Sequence, residues 1–387
     1  MGAPLPETIT ENEHNTNDNK AIRKITIKEV KQAIKNTPNK APGDHIFAQH
    51  LKHSSDKMIQ IITNIFNASL LIGYFPKKWK SAILTMILKP DKDASSPKSC
   101  RPISLLPILG KVLERIMTGK ITIYMIEKGF LNKFQYGFQK KKSCVHQVLR
   151  LSEHINRWFN AKPSGRTITV LIDAEKAFDC LWHDGLRQML LNDNFPTILI
   201  RWISSWLTHR TCRVRVNNNL SNLAVLSAGV PQGSLLSPIM YIYFTRLMPT
   251  KSTNEIISSF YADDTAYAAS DAPHARRKTF AGQKLQEILL ELESFCNKWR
   301  IGLNAAKTKL LLFKIKKNQN TTPNIYLKNE LLEYSQEARF LGVIFDTELS
   351  FEKHIKDIVN RSKKRLNLLK AIRGQQWGAS PETLLYT

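Results

Sequence analysis

Hydrophobic residues along the chain follow two different spacings, and each spacing indicates a different kind of element. Over several long segments, apolar residues recur three and four positions apart among polar ones, which is the pattern of amphipathic helices. Thr26 precedes the first of these segments, where its hydroxyl can cap a helix. We expect helices near residues 26–36, 55–71, 105–128, 182–192, 197–208, 234–247, 279–299 and 351–372.

Short runs of β-branched and other apolar residues predict strands between these helices. The run over 167–172 contains only Thr, Ile, Val and Leu, and it predicts a buried strand that ends just before Asp173. Residues 217–219 and 262–264 each separate two such runs and predict hairpin turns. Further strands are expected near residues 79–88, 212–216, 223–227, 256–261, 265–269, 310–314, 324–328 and 339–345.

The composition is that of a folded protein with a strong positive charge. Apolar residues make up 42% of the 387 residues, which is enough for a core and excludes a chain disordered throughout. The length predicts two or three lobes. Lys and Arg number 57 against 32 Asp and Glu, a net charge of +25. This excess indicates a polyanionic partner, either nucleic acid or an anionic membrane, unless it reflects only a solvated basic surface.

The sequence argues against a membrane protein and against a disulfide framework. No run of about 18 uncharged apolar residues is present. Residues 1–20 are polar and acidic, unlike a secretory signal, and we expect a disordered leader there. We therefore expect an intracellular protein without membrane contact. The absence of a C-x-x-C pair favours a reducing compartment, and the five cysteines are isolated at Cys100, Cys144, Cys180, Cys212 and Cys296.

Three aspartates are the candidate chemical centre. Asp173 ends the buried strand, and Asp263 and Asp264 lie in a predicted tight turn 90 residues further on. If the two strands are neighbours in one sheet, the three carboxylates converge and repel one another, so a cation should neutralise them. Mg²⁺ prefers such oxygen ligands, and two ions about 3.5–4 Å apart can serve nucleotidyl transfer. The alternative is a simple turn and a strand cap, which an isolated Asp-Asp turn would favour.

Three motifs surround these acids in chain order. Leu171–Asp179 reads LIDAEKAFD, Gly229–Pro238 reads GVPQGSLLSP and Phe260–Asp264 reads FYADD. They resemble the first catalytic box, the following glycine–glutamine box and the tyrosine-x-aspartate-aspartate box of reverse transcriptases from non-LTR retrotransposons. Similar flanking motifs lie at Lys40–Gly43, Arg101–Leu106, Gln135–Phe138, Trp299, Asn304–Thr308 and Phe340–Val343. From about residue 25 onward the chain is thus identified as a member of this family, of the jockey type.

The resemblance implies a fold and an activity. The fold would be α+β, a right-hand polymerase with a fingers region over 21–160, a palm over 161–345 and a truncated helical thumb over 346–387. The palm would be an antiparallel sheet packed by helices. The activity would be an RNA-directed DNA polymerase that uses an RNA template, a DNA primer and deoxynucleoside triphosphates. Two Mg²⁺ ions, with Mn²⁺ as a substitute, would be its cofactors, and it would act as a ribonucleoprotein in the nucleus or cytoplasm.

The resemblance also implies roles for individual residues. The three aspartates would hold the metals, and Phe178 would exclude a ribose 2′-hydroxyl. Gln232 and Gly233 would lie beside the incoming nucleotide, and an Arg fork or a lysine can grip a triphosphate. The remaining basic residues have three implied roles: Lys89 and Arg101 on the triphosphate, Lys307 as proton donor with Lys309 as its rival, and Lys363, Lys364 and Arg365 on the nucleic-acid backbone.

Several positions depart from the family pattern and leave alternatives open. Gln139 stands where relatives usually carry Arg, Cys100 replaces a common aromatic residue, and 241–249 lacks the usual Asn and acid. An inactive remnant that only binds nucleic acid is therefore an alternative. A viral type of RNA polymerase is another, and Phe178 and Ala262 argue against it.

Overall fold

A computed structural model describes most of the chain: residues 23–40, 42–89, 93, 95–96, 99–161, 164–175, 177–217, 219–271, 280–314 and 322–373. The expected leader over 1–20 and the part of the expected thumb beyond 373 lie outside these residues. The chain divides into two compact units, each built from separate stretches of sequence. Unit 1 comprises Met1–Lys133, Glu175–Leu247 and Cys296–Gly302, and unit 2 comprises Phe134–Ala174, Met248–Phe295 and Leu303–Thr387.

Helices and short strands alternate throughout the described residues, as expected for an α+β protein. The helices are α1 Ile27–Lys35, α2 Ala48–Lys52, α3 Asp56–Leu71, α4 Ile108–Glu127, α5 Cys144–Phe159, α6 His183–Asn192, α7 Thr197–Leu207, α8 Ser237–Phe244, α9 Phe280–Trp299 and α10 Glu352–Arg373. The strands are β1 Ser81–Leu88, β2 Cys100–Leu105, β3 Arg166–Ile172, β4 Ala174–Glu175, β5 Arg210–Val216, β6 Asn219–Leu220, β7 Ala224–Leu226, β8 Ile256–Tyr261, β9 Asp264–Asp271, β10 Gly302–Leu303, β11 Lys309–Phe313, β12 Tyr326–Leu327, β13 Glu330–Leu331, β14 Glu337–Phe340 and β15 Val343–Asp346.

In unit 1 a small sheet lies beside a helical core. Its order is β2-β1-β5-β6, with β7 also paired to β5. β1 and β2 are antiparallel, whereas β1 and β5 are parallel. Two indoles tie the helices together: Trp202 Nε1 of α7 donates to Ser69 Oγ of α3 at 3.1 Å, and Trp206 Nε1 donates to Glu114 Oε1 of α4 at 2.8 Å.

In unit 2 an antiparallel sheet of order β11-β3-β9-β8 forms the centre. Every residue of β3 is buried, as its uninterrupted apolar sequence predicts. Leu151 and Ile155 of α5 pack against this sheet together with Phe340 and Phe345 of the β14–β15 hairpin. Arg166 and Asp271 form a buried ion pair at the end of β3 and β9 opposite to Asp173.

The predicted helices are present, but four element boundaries in the prediction were wrong. The helix expected from 105 begins at Ile108, because 100–105 forms strand β2 before it. The helix expected over 234–247 is limited to Ser237–Phe244. The strand expected over 339–345 is a hairpin that turns at Leu341 and Gly342, both at positive φ. Asn219, which was expected in a turn, is the first residue of β6 and pairs with Val216.

The two longest described elements that the sequence prediction missed are α5 and β2. α5 buries Gln147 and His154 on the same face as Leu151 and Ile155, so polar residues interrupt its apolar pattern. β2 contains Pro102, which weakens a strand pattern, and it lies at the edge of its sheet, where proline is tolerated.

No helix among the described residues is both long enough and apolar enough to cross a membrane.

Candidate active site

The register of two neighbouring strands brings the predicted aspartates together. β3 and β9 pair with Ile172 opposite Thr265, so Asp173 and Asp264 follow at the same end of the sheet. β8 and β9 close with Tyr261 opposite Asp264, which leaves a turn of only Ala262 and Asp263. The expected hairpin with two acids at its tip is therefore corrected, because Asp264 is the first residue of β9 rather than part of the turn.

Two buried glutamines hold this turn in place. Gln135 Oε1 accepts from the backbone N–H of Ala262 at 2.8 Å, and Gln135 Nε2 donates to the carbonyl of Ala262 at 3.2 Å. Gln147 Nε2 donates to the carbonyl of Phe260 at 2.9 Å. Ala262 has φ 57, a left-handed conformation that is uncommon for a residue with a side chain. These bonds stabilise that backbone, and the sequence prediction gave neither glutamine a role.

The three carboxylates influence one another electrostatically. Although Asp264 is exposed at the start of β9, partial desolvation of its carboxyl group raises its pKa from 3.8 to about 6, and the charges of Asp263 and Asp173 add to this rise. Both effects disfavour a negative charge on Asp264. A cation bound among the three groups would reverse this preference.

The segment expected to carry the proton donor contacts Asp173. The backbone N–H of Asn304 donates to the carbonyl of Asp173 at 3.0 Å, and the N–H of Asp173 donates to Thr308 Oγ1 at 3.5 Å. Lys307 Nζ lies 3.7 Å from Asp173 Oδ2. Because the Lys307 side chain is 69% exposed, this ion pair is weak. Lys309 starts β11 and pairs in register with Leu171.

The donor set fits a hard divalent cation by its chemistry. Three carboxylates at one sheet end provide the oxygen ligands that Mg²⁺ prefers, and the raised pKa of Asp264 reflects the repulsion that such an ion would neutralise. In the part of the chain that the structure describes, no three His, Cys, Asp or Glu side chains already surround one point closely enough to hold a metal.

The expected nucleotide-binding residues of the central motifs lie together in unit 1. Phe178 stacks on Tyr241, with ring centroids 4.7 Å apart, and its carbonyl accepts from the N–H of Val230 at 2.8 Å. Gln232 Nε2 donates to Asp179 Oδ1 at 2.8 Å. Gly233 has φ 138, and a Cβ there would lie 2.5 Å from the carbonyl oxygen of Ser104. Only glycine therefore allows the turn to approach β2 this closely.

The buried carboxylate of Glu114, which the sequence prediction missed, accepts hydrogen bonds from the residues that directly follow Gly233. Glu114 is 1% exposed. Its Oε2 accepts from Ser234 Oγ at 2.7 Å and from the N–H of Leu235 at 3.1 Å, while Oε1 accepts from Trp206. The sequence feature that could have revealed Glu114 is its position as a single acid within the otherwise apolar face of α4.

Apart from Lys307, the expected basic residues occupy two locations. Arg101 lies on β2 opposite Ile87 of β1, and Lys89 directly follows β1 in unit 1, where its N–H donates to the carbonyl of Ser99 at 2.8 Å. The other set, Lys363, Lys364 and Arg365, lies exposed on α10 of unit 2. Lys307 and the three aspartates also belong to unit 2, whereas Phe178, Gln232 and Gly233 belong to unit 1.

Comparison with known protein families identifies the family to which this chain belongs. Residues 87–345 match the family model described as reverse transcriptase (RNA-dependent DNA polymerase). The chain belongs to the reverse transcriptase family. Members of this family generally use divalent metal ions, which agrees with the chemistry of the aspartate set. The family resemblance drawn from the sequence motifs is thus confirmed.

Curated relatives of this reverse transcriptase come from mobile elements of Drosophila melanogaster. The chain is 36% identical over 359 residues to a probable RNA-directed DNA polymerase from transposon BS, covering 90% of this chain and 39% of that protein. It is 32% identical over 343 residues to the RNA-directed DNA polymerase from mobile element jockey, covering 86% of this chain and 36% of that protein. The chain thus spans about two-fifths of the length of these relatives.

Among solved structures, this reverse transcriptase is similar to an apo telomerase from Candida tropicalis truncated from its C-terminal domain. The TM-score is 0.47 at 12% identity, over 77% of this chain and 60% of that one.

Proposed function

We propose that this chain carries an RNA-directed DNA polymerase activity. Its substrates would be deoxynucleoside triphosphates, added to a DNA primer on an RNA template. The observation that carries the proposal is the register of β3 and β9, which brings Asp173 to the sheet end that also carries Asp263 and Asp264. Together with membership of the reverse transcriptase family, this constellation supports nucleotidyl transfer.

The aspartates would hold two Mg²⁺ ions, for which Mn²⁺ would substitute. When bound, such ions activate the attacking 3′-hydroxyl and neutralise charge on the leaving pyrophosphate. Asp264 must lose its proton to bind a cation, and its pKa of about 6 means that it is mostly ionised at neutral pH. Lys307 would donate a proton to the pyrophosphate, since its ammonium group already lies 3.7 Å from Asp173.

Residues of unit 1 would select and orient the nucleotide. The ring of Phe178, braced by Tyr241, would exclude a ribose 2′-hydroxyl and so favour deoxynucleotides. Gln232 and Gly233 would form the turn beside the incoming nucleotide, and Lys89 and Arg101 would bind its phosphates. On α10, the cations Lys363, Lys364 and Arg365 would contact the primer–template backbone through nonspecific charge attraction.

Primer extension on an RNA template tests the proposed activity. We expect the purified chain to extend a DNA primer with Mg²⁺ and deoxynucleotides. The double substitution Asp263→Asn plus Asp264→Asn should reduce the rate by at least about 10³-fold, because the charges that stabilise the transition state would be lost. The matched control, Asp56→Asn plus Asp184→Asn, removes two exposed carboxylates elsewhere and should retain the rate.

Three outcomes would contradict the proposal. Extension that survives the double substitution would refute the metal role of the aspartates. Nucleic-acid binding without extension in Mg²⁺ or Mn²⁺ would favour the inactive remnant. Preferential incorporation of ribonucleotides would favour an RNA polymerase and refute the role of Phe178.

A further inference from the structure

Glu114 is a buried carboxylate of unit 1 to which the proposed function assigns no role. It is 1% exposed, and its neighbours along α4, Val112, Leu113 and Met117, are fully buried. A buried charge is costly unless it is paired and hydrogen-bonded, and well-packed apolar residues often serve stability equally well. Stability alone therefore does not account for a carboxylate at this position.

Three hydrogen-bond donors among the described residues surround this carboxylate. Glu114 Oε2 accepts from Ser234 Oγ at 2.7 Å and from the backbone N–H of Leu235 at 3.1 Å. Oε1 accepts from Trp206 Nε1 at 2.8 Å. An ionised carboxylate can only accept hydrogen bonds, so these donors suit its charged form. One oxygen thus faces α7, and the other faces the two residues that directly follow Gly233.

A buried cation lies on the other side of Trp206. Arg210 is 2% exposed, and its Nη1 donates to the carbonyl of Trp206 at 2.9 Å. Its guanidinium carbon lies 5.6 Å from the centroid of the Trp206 ring. Burial lowers the pKa of Arg210, and the negative charge of Glu114 opposes this lowering. Trp206 thus contacts two buried groups of opposite charge, each of which offsets part of the cost of burying the other.

The bonds to Glu114 fix one end of the turn that contains Gln232. Ser234 Oγ, which donates to Glu114, also accepts from the N–H of Ser237, the first residue of α8, at 3.4 Å. Before this point the carbonyl of Gln232 accepts from the N–H of Ser104 in β2 at 2.7 Å. The turn is therefore held between β2 on one side and α4 on the other.

We propose that Glu114 is a positioning residue for nucleotide binding, whose carboxylate holds the turn of Gln232 and Gly233 in its binding conformation. It would act on the nucleotide through Ser234 and Leu235. This role rests on the proposed function, in which Gln232 and Gly233 lie beside the incoming nucleotide. Because the turn would contact the nucleotide in both the ground state and the transition state, loss of the anchor should weaken binding rather than slow the chemical step.

Steady-state primer extension separates this role from a general loss of stability. Glu114→Met keeps a long, unbranched side chain and removes both acceptors. It should raise KM for the deoxynucleotide by about 10- to 100-fold, the range expected when a buried donor loses a charged acceptor. The value of kcat should stay within about threefold, and KM for the primer–template within about twofold, because neither depends on this turn alone.

Glu114→Gln is the conservative variant that should rescue nucleotide binding. Its amide oxygen can face Ser234 and Leu235, but its NH2 group then meets the indole N–H of Trp206, which also donates. We expect a lower urea midpoint with KM for the nucleotide within about threefold of wild type. The matched control Trp206→Phe removes the donor to Oε1 and leaves the turn bonded, so it should also lower the midpoint and leave KM within about twofold.

Hydrogen exchange tests the anchor without requiring catalysis. In Glu114→Met the backbone N–H of Leu235 has lost its acceptor, so its exchange should become at least about 10-fold faster relative to the amides of α1 in the same unit. In Glu114→Gln and Trp206→Phe this ratio should stay within about threefold. If Glu114→Met does not fold, Ser234→Ala replaces it, and loss of one donor to Oε2 should raise KM by about 3- to 10-fold.

Two results would overturn the proposal. A nucleotide KM within twofold of wild type in the variant that loses the turn bonds would show that the turn does not need this anchor. An equal rise of KM in Trp206→Phe would show that the effect is a general loss of stability. If the wild-type chain does not extend a primer, the proposed polymerase activity falls, and exchange at Leu235 still decides whether Glu114 anchors the turn.

Discussion

Asp264 illustrates at the scale of one residue how neighbouring carboxylates and desolvation oppose a negative charge. Its pKa of about 6 results from burial and from the charges of Asp263 and Asp173. In an unfolded chain the group would have its ordinary pKa near 3.8. Folding therefore opposes ionisation of Asp264, and a bound cation would remove that opposition.

Asp264→Asn should stabilise the metal-free protein in a pH-dependent manner. A raised folded-state pKa costs no stability below about 3.8, costs more as pH rises from 3.8 to about 6, and costs a constant amount above that. Asn cannot ionise and avoids this cost. We expect thermal melts in EDTA to show a gain in Tm of about 2–4 °C at pH 8 that shrinks towards pH 4.5.

An exposed carboxylate outside the site provides the control for this measurement. Glu330→Gln on β13 should give no comparable gain in Tm. If Asp264→Asn melts at or below the wild-type temperature at every pH, then its neighbours do not destabilise the Asp264 carboxylate.

At the scale of elements, the β8–β9 hairpin depends on a segment from a distant part of the sequence. β8 and β9 leave Ala262 in a left-handed conformation, and Gln135 binds both backbone groups of that residue. The hairpin is thus supported by contacts across more than a hundred residues, from Gln135 to Ala262. A substitution in this supporting segment should therefore reduce the stability of the hairpin.

Gly137→Ala should destabilise unit 2. The added methyl group would meet the backbone N atom of Ala262 at 2.3 Å, and overpacking of this kind costs about 1–3 kcal/mol. Gly119→Ala is the matched control, because its Cβ would meet nothing within 4 Å inside α4. That control should gain about 0.5–1 kcal/mol in a helix interior. Urea unfolding measures both, and an unchanged midpoint for Gly137→Ala would show that the segment can move away from the hairpin.

At the scale of the whole molecule, the charge of +25 is distributed over several distinct surfaces. α10 carries exposed cations at Lys363, Lys364 and Arg365, and none of these forms an ion pair with another described residue. Lys140, Lys141 and Lys142 provide a second cluster of cations on the same unit. By contrast, Lys353 and Lys356 pair with Glu337 and Glu352, each at 2.6 Å. The net positive charge is therefore partly uncompensated where nucleic acid would bind.

Affinity for a primer–template duplex should fall steeply with salt. If about 6–10 phosphates are neutralised, the affinity should drop about 10³–10⁵-fold between 50 and 200 mM salt. Replacing Lys363, Lys364 and Arg365 with Ala should lower the slope of log affinity against log salt by about 2–3. Replacing Lys353 and Lys356 with Ala is the control and should change the slope less per charge. An affinity that is flat over this salt range would contradict a charge-based interface.

Local pattern was sufficient to predict much of the chain. The apolar run of β3, the spacing of α9 and α10 and the Thr26 cap of α1 were predicted from neighbouring residues and are present. Short-range periodicity determines these elements, because it decides which face or edge of a segment is apolar. The motifs around Asp173 and Asp263 likewise identified the reverse transcriptase family without coordinates.

Only tertiary structure decided how these elements meet. The parallel pairing of β1 with β5, the register that brings Asp173 beside Asp264, and the buried roles of Gln135, Gln147 and Glu114 depend on contacts between residues far apart in sequence. A buried polar side chain interrupts an apolar pattern, so from the sequence alone it resembles a surface residue. Its hydrogen-bond partners become visible only when the chain is folded, because burial requires that such groups be paired.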